Sequence, residues 1–133
     1  MTIVIGYLPT PEGEAALEAA IGEARKRKAD LVVVSGVDAV SDSAFDISPE
    51  QHADALSDKL DQLDVANVVV PHDPTVDPAT EILAQSRSRD ASMIVIGLRR
   101  RSPVGKLILG STAQRILLEA DCPVLAVKRA SAD

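Results

Sequence analysis

The sequence predicts an α/β fold: a five-stranded, parallel, doubly wound sheet of order 3-2-1-4-5 with helices on both faces. Three observations carry this. Short apolar runs alternate with helix-period segments along the whole chain. The runs are Val- and Ile-rich and nearly uninterrupted, as strands buried on both faces must be. The hydrophobic fraction, 46%, is almost wholly aliphatic, with no Trp, one Tyr (Tyr7) and one Phe (Phe45). Strict alternation gives a parallel sheet covered on both sides, and right-handed crossovers leave few strand orders to choose from.

Each element has its own signal. Residues 2–8 (TIVIGYL) read as the first strand. Pro11 sits where a first helical turn tolerates it, and an Ala-rich stretch runs to about Lys28, with Ala15, Ala16, Ala19, Ala20 and Ile21 along one face. Arg25 to Lys28 close that helix with positive charge suited to its dipole. Residues 31–37 (LVVVSGV) give the second strand, followed by a polar loop. Ser48-Pro49-Glu50 opens the second helix, which carries Ala53, Leu56, Leu60 and Leu63 at helical spacing. Residues 65–71 form the third strand. Asp77-Pro78 starts the third helix, with Ala79, Ile82 and Leu83 inward. Residues 92–97 (SMIVIG) are the fourth strand. Residues 111–120 are the last helix, with Ala113, Ile116 and Leu117 inward, and 123–128 (PVLAVK) the last strand.

At 133 residues the chain fits one domain, expected over 1–129 with a tail at 130–133. The net charge of −6 and the shortage of aromatic stacking platforms argue against nucleic acid and anionic membrane as partners. The basic residues concentrate late: Arg87, Arg89, Arg99, Arg100, Arg101, Lys106, Arg115, Lys128 and Arg129. An acidic protein with a local basic patch suits a small anionic ligand. The single cysteine, Cys122, cannot form an internal disulfide and fits a reducing, cytoplasmic setting. No secretory h-region and no membrane-length apolar run is visible, so neither secretion nor membrane insertion is expected.

In a doubly wound sheet, ligands bind beyond the carboxyl ends of the strands where the winding reverses, here between strands one and four. The segments facing that point are 8–10, 35–37 and the loop from Gly97, GLRRRSPVGKLILGST. The loop puts one glycine at a strand end and another, Gly110, just before a helix. Gly110, Ser111 and Thr112 thus bring unpaired amides and two hydroxyls to a helix N-terminus, a favourable seat for phosphate. Gly110 permits a positive φ and lets an anion approach the backbone. The plainer reading is that Gly97 and Gly110 are turn residues and Ser111 an N-cap.

At these residues the sequence resembles the universal stress protein family. The family signature is a glycine, two residues, a second glycine, nine residues, then Gly-Ser or Gly-Thr. Gly97, Gly110 and Ser111 match it in spacing, and the tail STAQRILLEADCPVLAVK is similar as well. The resemblance runs essentially end to end. It implies a flavodoxin-like fold, ATP or AMP as ligand, phosphates in the loop at 97–112, adenine near strands one and two, and a homodimer formed through the fifth strand at 123–128. Two departures stand out. Arg100 replaces the second glycine, where a long cation can either clamp phosphates or fill their space. Leu8 stands where nucleotide-binding members carry an aspartate and accepts no hydrogen bond; such a loss costs ~1–3 kcal/mol.

The resemblance gives two readings. In the first, a small regulatory protein holds adenine-nucleotide phosphates with Gly97, Arg99, Arg100, Gly110, Ser111 and Thr112, while Thr10, Val34, Ser35 and Val37 border the base. In the second, the chain is a nucleotide-independent dimeric interaction module with a degenerate pocket. No catalytic residue is expected in either, since no general base stands near the loop and no Walker-type Gly-Lys-Ser/Thr is present. No metal site is expected: His52 reads as a surface residue, and His72 lies in a turn at the ligand end with too few ligands at any recognised spacing. Cys122 reads as an inert, buried thiol.

Overall fold

Five strands and four helices alternate through the computed structural model, which describes residues 1–36, 48–98 and 109–128. They are β1 (Thr2–Tyr7), α1 (Pro11–Arg27), β2 (Asp30–Ser35), α2 (Pro49–Gln62), β3 (Asn67–Pro71), α3 (Pro78–Ser88), β4 (Met93–Leu98), α4 (Ser111–Glu119) and β5 (Val124–Lys128). All pairings are parallel and the order is β3-β2-β1-β4-β5, as expected. Strand β1 is central, with Ile3 opposite both Leu31 and Met93.

Side-chain alternation splits the core in two. Ile3, Ile5, Leu31, Val33 and Val95 point to the face covered by α1 and α2, where they meet Ala16, Leu17, Ala20, Ala24 and Leu60. Val4, Val32, Val34, Ile94 and Ile96 point the other way, onto Ala79, Ile82 and Leu83 of α3 and Ile116 of α4. Each fully buried Ile or Leu contributes roughly 1.5–3 kcal/mol by leaving water.

Local signals set the helix starts. The Thr10 hydroxyl accepts from the Gly13 amide and caps α1. Ser48 and Gln51 form a reciprocal capping box at α2. The Asp77 carboxylate accepts from the Thr80 amide at α3, and in all three helices the next residue is Pro. The ends use left-handed backbone at Lys28, Asp64 and Asp90.

Four local expectations need correction. Strand β2 is Asp30–Ser35 within the described residues, and its pairing with β1 closes on the ladder bond from the Gly36 amide to the Tyr7 carbonyl at 2.7 Å; Val37 and the loop after it lie outside them. Strand β3 begins at Asn67, because Val65 instead donates its amide to Leu60 as part of the α2 exit. The buried stripe of α1 is Gly13, Ala16, Leu17, Ala20 and Ala24, with Ala15, Ala19 and Ile21 on its flanks. Leu117 is 41% exposed, since Ala113, Ile116 and Ala120 already fill the sheet-facing stripe of so short a helix.

Candidate functional site

The connections leaving β1 and β4 go to opposite faces of the sheet, and a cleft of about 320 Å³ opens between them at the carboxyl ends of the strands. That volume sits at the lower end of small-molecule sites. The cleft is lined by Gly6, Leu8 and Thr10 from the end of β1 and the start of α1, by Val34 of β2 and His72 after β3, and by Ser111 and Thr112 of α4. The lining is mainly apolar.

Two glycines shape the cleft in different ways. At Gly97 a Cβ would lie 2.6 Å from the Glu12 carbonyl oxygen, so this glycine lets β4 pass close to the first turn of α1. At Gly110 a Cβ would meet none of the described residues within 4 Å, and φ is −69°. The left-handed freedom expected of Gly110 is therefore not used. Its missing side chain is demanded neither by backbone conformation nor by packing among the described residues.

The helix behind it is unusual within this molecule. Gly110, not Ser111, is the N-cap of α4, and no side chain caps the first turn, unlike α1, α2 and α3. Ser111 takes the first helical position because the Gln114 amide already bonds the Gly110 carbonyl at 2.9 Å. Among the described residues, no side chain accepts from the initial amides of α4, whose first residues line the cleft.

Of the expected site residues, the cleft brings together Thr10, Val34, Gly97, Gly110, Ser111 and Thr112. Thr10 also caps α1, so its hydroxyl is already engaged. Ser35 is buried and absent from the lining, because it follows Leu31 and Val33 toward the α1–α2 face; its carbonyl accepts from the His72 amide at 2.8 Å. Val37, Arg99 and Arg100 lie outside the described residues. The Tyr7 hydroxyl donates to Glu14 in a short bond, and burial, then that carboxylate, push the phenol above its usual range.

Sequence reasoning missed His72. It is 6% exposed, and its Nδ1 lies 2.7 Å from Glu81 Oε2, which also accepts from the Asp73 amide at 3.2 Å. The signal was its place at the ligand end of β3; the Glu81 partner, across a turn and on α3, has no spacing rule to reveal it. His52, expected at the surface, is half-buried on α2. Among the described residues no group of three metal-ligating side chains occurs.

Part of the basic patch serves structure. Arg115 bridges Asp77 and Glu119, both at 2.9 Å, and Arg87 reaches Asp121 at 3.0 Å and the Glu119 carbonyl at 2.9 Å. These contacts join α3 to α4 and leave the cleft. Cys122 is half-buried, and desolvation, then the Asp121 charge, raise its thiol above the usual range.

The family model described as the universal stress protein family matches residues 1–128. The chain belongs to the universal stress protein family. A universal stress protein of Mycolicibacterium smegmatis is 45% identical over 130 residues, covering 95% of this chain and 96% of that one. Among solved structures, a universal stress protein from Archaeoglobus fulgidus superposes with a TM-score of 0.72 at 28% identity, covering 96% of this chain and 98% of that one. The Archaeoglobus fulgidus universal stress protein in complex with dAMP gives 0.68 at 23% identity, covering 96% and 98%. An Arabidopsis thaliana family protein with AMP bound gives 0.68 at 14%, covering 100% and 94%. The flavodoxin-like architecture is thereby shared, and no helix among the described residues is long and apolar enough to cross a membrane.

Proposed function

We propose that the protein is a small regulatory binder of adenine nucleotides, ATP or AMP, and not an enzyme. The observation that carries this is the open start of α4: an N-cap without a side chain, amides without a side-chain acceptor, and two hydroxyls at one lip of the cleft. Such a helix start attracts phosphate through unpaired N–H groups and its dipole. Gly97, Gly110, Ser111 and Thr112 hold the phosphates in this reading, with Arg99 and Arg100 supplying cations from the intervening loop. Thr10 and Val34 border the sugar and base. The dAMP and AMP complexes of family neighbours support the ligand class.

Thermal-shift measurements with ATP, AMP and cyclic AMP test the proposal. The expected result is a rise in Tm that saturates with nucleotide and disappears in Gly110→Arg, whose unliganded Tm should stay close to the parent because no described residue comes within 4 Å of a Cβ at position 110. No shift at millimolar nucleotide would favour the second reading, a nucleotide-independent dimeric module. Leu8, an apolar residue in the cleft wall, is the observation that favours that alternative.

Both readings include a homodimer through β5. This strand ends the sheet, so its outer edge presents unpaired backbone groups that a two-fold partner can cover. Size exclusion with light scattering should give twice the chain mass at micromolar concentration; a monomer there removes the dimer from the proposal.

A further inference from the structure

The polar group best placed to read the base is His72. Among the described residues that line the cleft, it is the one polar residue that is buried, at 6% exposure. The cleft it lines is mainly apolar, with Leu8, Val34, Ile82 and Ile96 in its walls. A buried imidazole in such a place is held there by specific bonds. Its backbone amide is fixed on the Ser35 carbonyl, and its Nδ1 on Glu81 Oε2, which a second donor, the Asp73 amide, holds in place.

The Glu81 bond sets the chemistry of the ring. A carboxylate accepts only, so Nδ1–H donates to Glu81, and the imidazole tautomer this bond selects has its acceptor lone pair on Nε2. The position sets what it meets. His72, just after β3, and Gly110, Ser111 and Thr112 at the open start of α4 line the same cleft. A ligand with its phosphate on α4 thus reaches His72 with its base.

The geometry points to His72 as the specificity residue of the cleft: an acceptor that selects a purine bearing an exocyclic 6-amino group over one bearing a 6-oxo group. This rests on the nucleotide reading above. A 6-amino purine offers Nε2 a donor, whereas a 6-oxo purine turns a second acceptor toward it. Glu81 is the positioning residue that keeps the ring in the accepting tautomer.

Titration of the full chain with AMP, inosine monophosphate and purine riboside monophosphate, which lacks the amino group, tests the assignment without any variant. AMP should bind about tenfold more tightly than either analogue, as expected for one hydrogen bond gained with the ligand. His72→Phe should bring AMP and purine riboside monophosphate to equal affinity, and His72→Asn, which keeps an acceptor, should retain part of the preference. Equal affinity of the parent protein for the three nucleotides overturns the role of His72 and leaves nucleotide binding standing. Binding of none overturns both, and a preference that survives His72→Phe in a folded protein overturns the assignment to this residue.

Discussion

At the scale of single residues, the glycines divide by what surrounds the missing side chain. A Cβ at Gly13 would lie 1.8 Å from the Leu8 carbonyl oxygen, and one at Gly97 would strike the Glu12 backbone. Both obstacles are backbone, so neither can swing aside. Gly22, exposed on α1, meets nothing within 4 Å. Gly97→Ala should therefore destabilise by about 1–3 kcal/mol and Gly13→Ala by at least as much, whereas Gly22→Ala should stabilise by about 0.5–1 kcal/mol. Denaturant unfolding checks all three. The sequence singled out Gly97 because it ends a strand at the loop. It said nothing of Gly13, whose neighbour is a carbonyl that only the chain path brings near. Ser35 failed for a related reason: its place at a strand end was legible, but a one-residue difference in pleat phase decides between cleft and core. Val34 and Ser35 cannot both face the same side.

At the scale of elements, helix starts were the most legible feature, because Pro after Thr10, Ser48 and Asp77 marks them directly. Strand ends were less so, since an apolar run does not say where pairing stops; β3 starts two residues later than expected, and β2 starts one residue earlier and stops short of Gly36. The contrast among the helix starts has a measurable side. Three are closed by their own side chains and α4 is not. Gly110→Asp supplies the missing acceptor to the first amides and adds a favourable charge to the dipole, so it should raise the unliganded protein's stability by a few tenths of a kcal/mol. The same carboxylate would occupy the phosphate seat and repel the ligand. Calorimetry should show Tm rising slightly without nucleotide while the nucleotide-induced shift vanishes. A variant that is both more stable and still fully responsive would place the phosphate elsewhere.

At the scale of the whole molecule, the strand order was legible because alternation and crossover handedness leave little choice, and the family resemblance covered nearly the same span as the family match. What composition could not show is how the basic side chains are shared out. Arg87 and Arg115 look like part of one cationic surface with Arg99 and Arg100 in the sequence, yet they tie α3 to α4 through acids that lie far away along the chain. The sheet itself is unevenly dependent on its ends. The Met1 carbonyl accepts from the Asp30 amide and the Thr2 carbonyl from Ser92, so the chain start is clasped between β2 and β4. Deleting residues 1–8 should abolish cooperative unfolding, since it parts the sheet into two halves. Deleting 124–133 trims one edge and should leave a destabilised but still cooperative transition by circular dichroism.

That central start also has a consequence for biosynthesis. Strand β1 leaves the ribosome about 90 residues ahead of β4, its second neighbour, roughly 5–20 s at ordinary translation rates. For that interval Ile3, Val4 and Ile5, fully buried in the finished sheet, have one flank unclaimed, a state that invites chaperone capture.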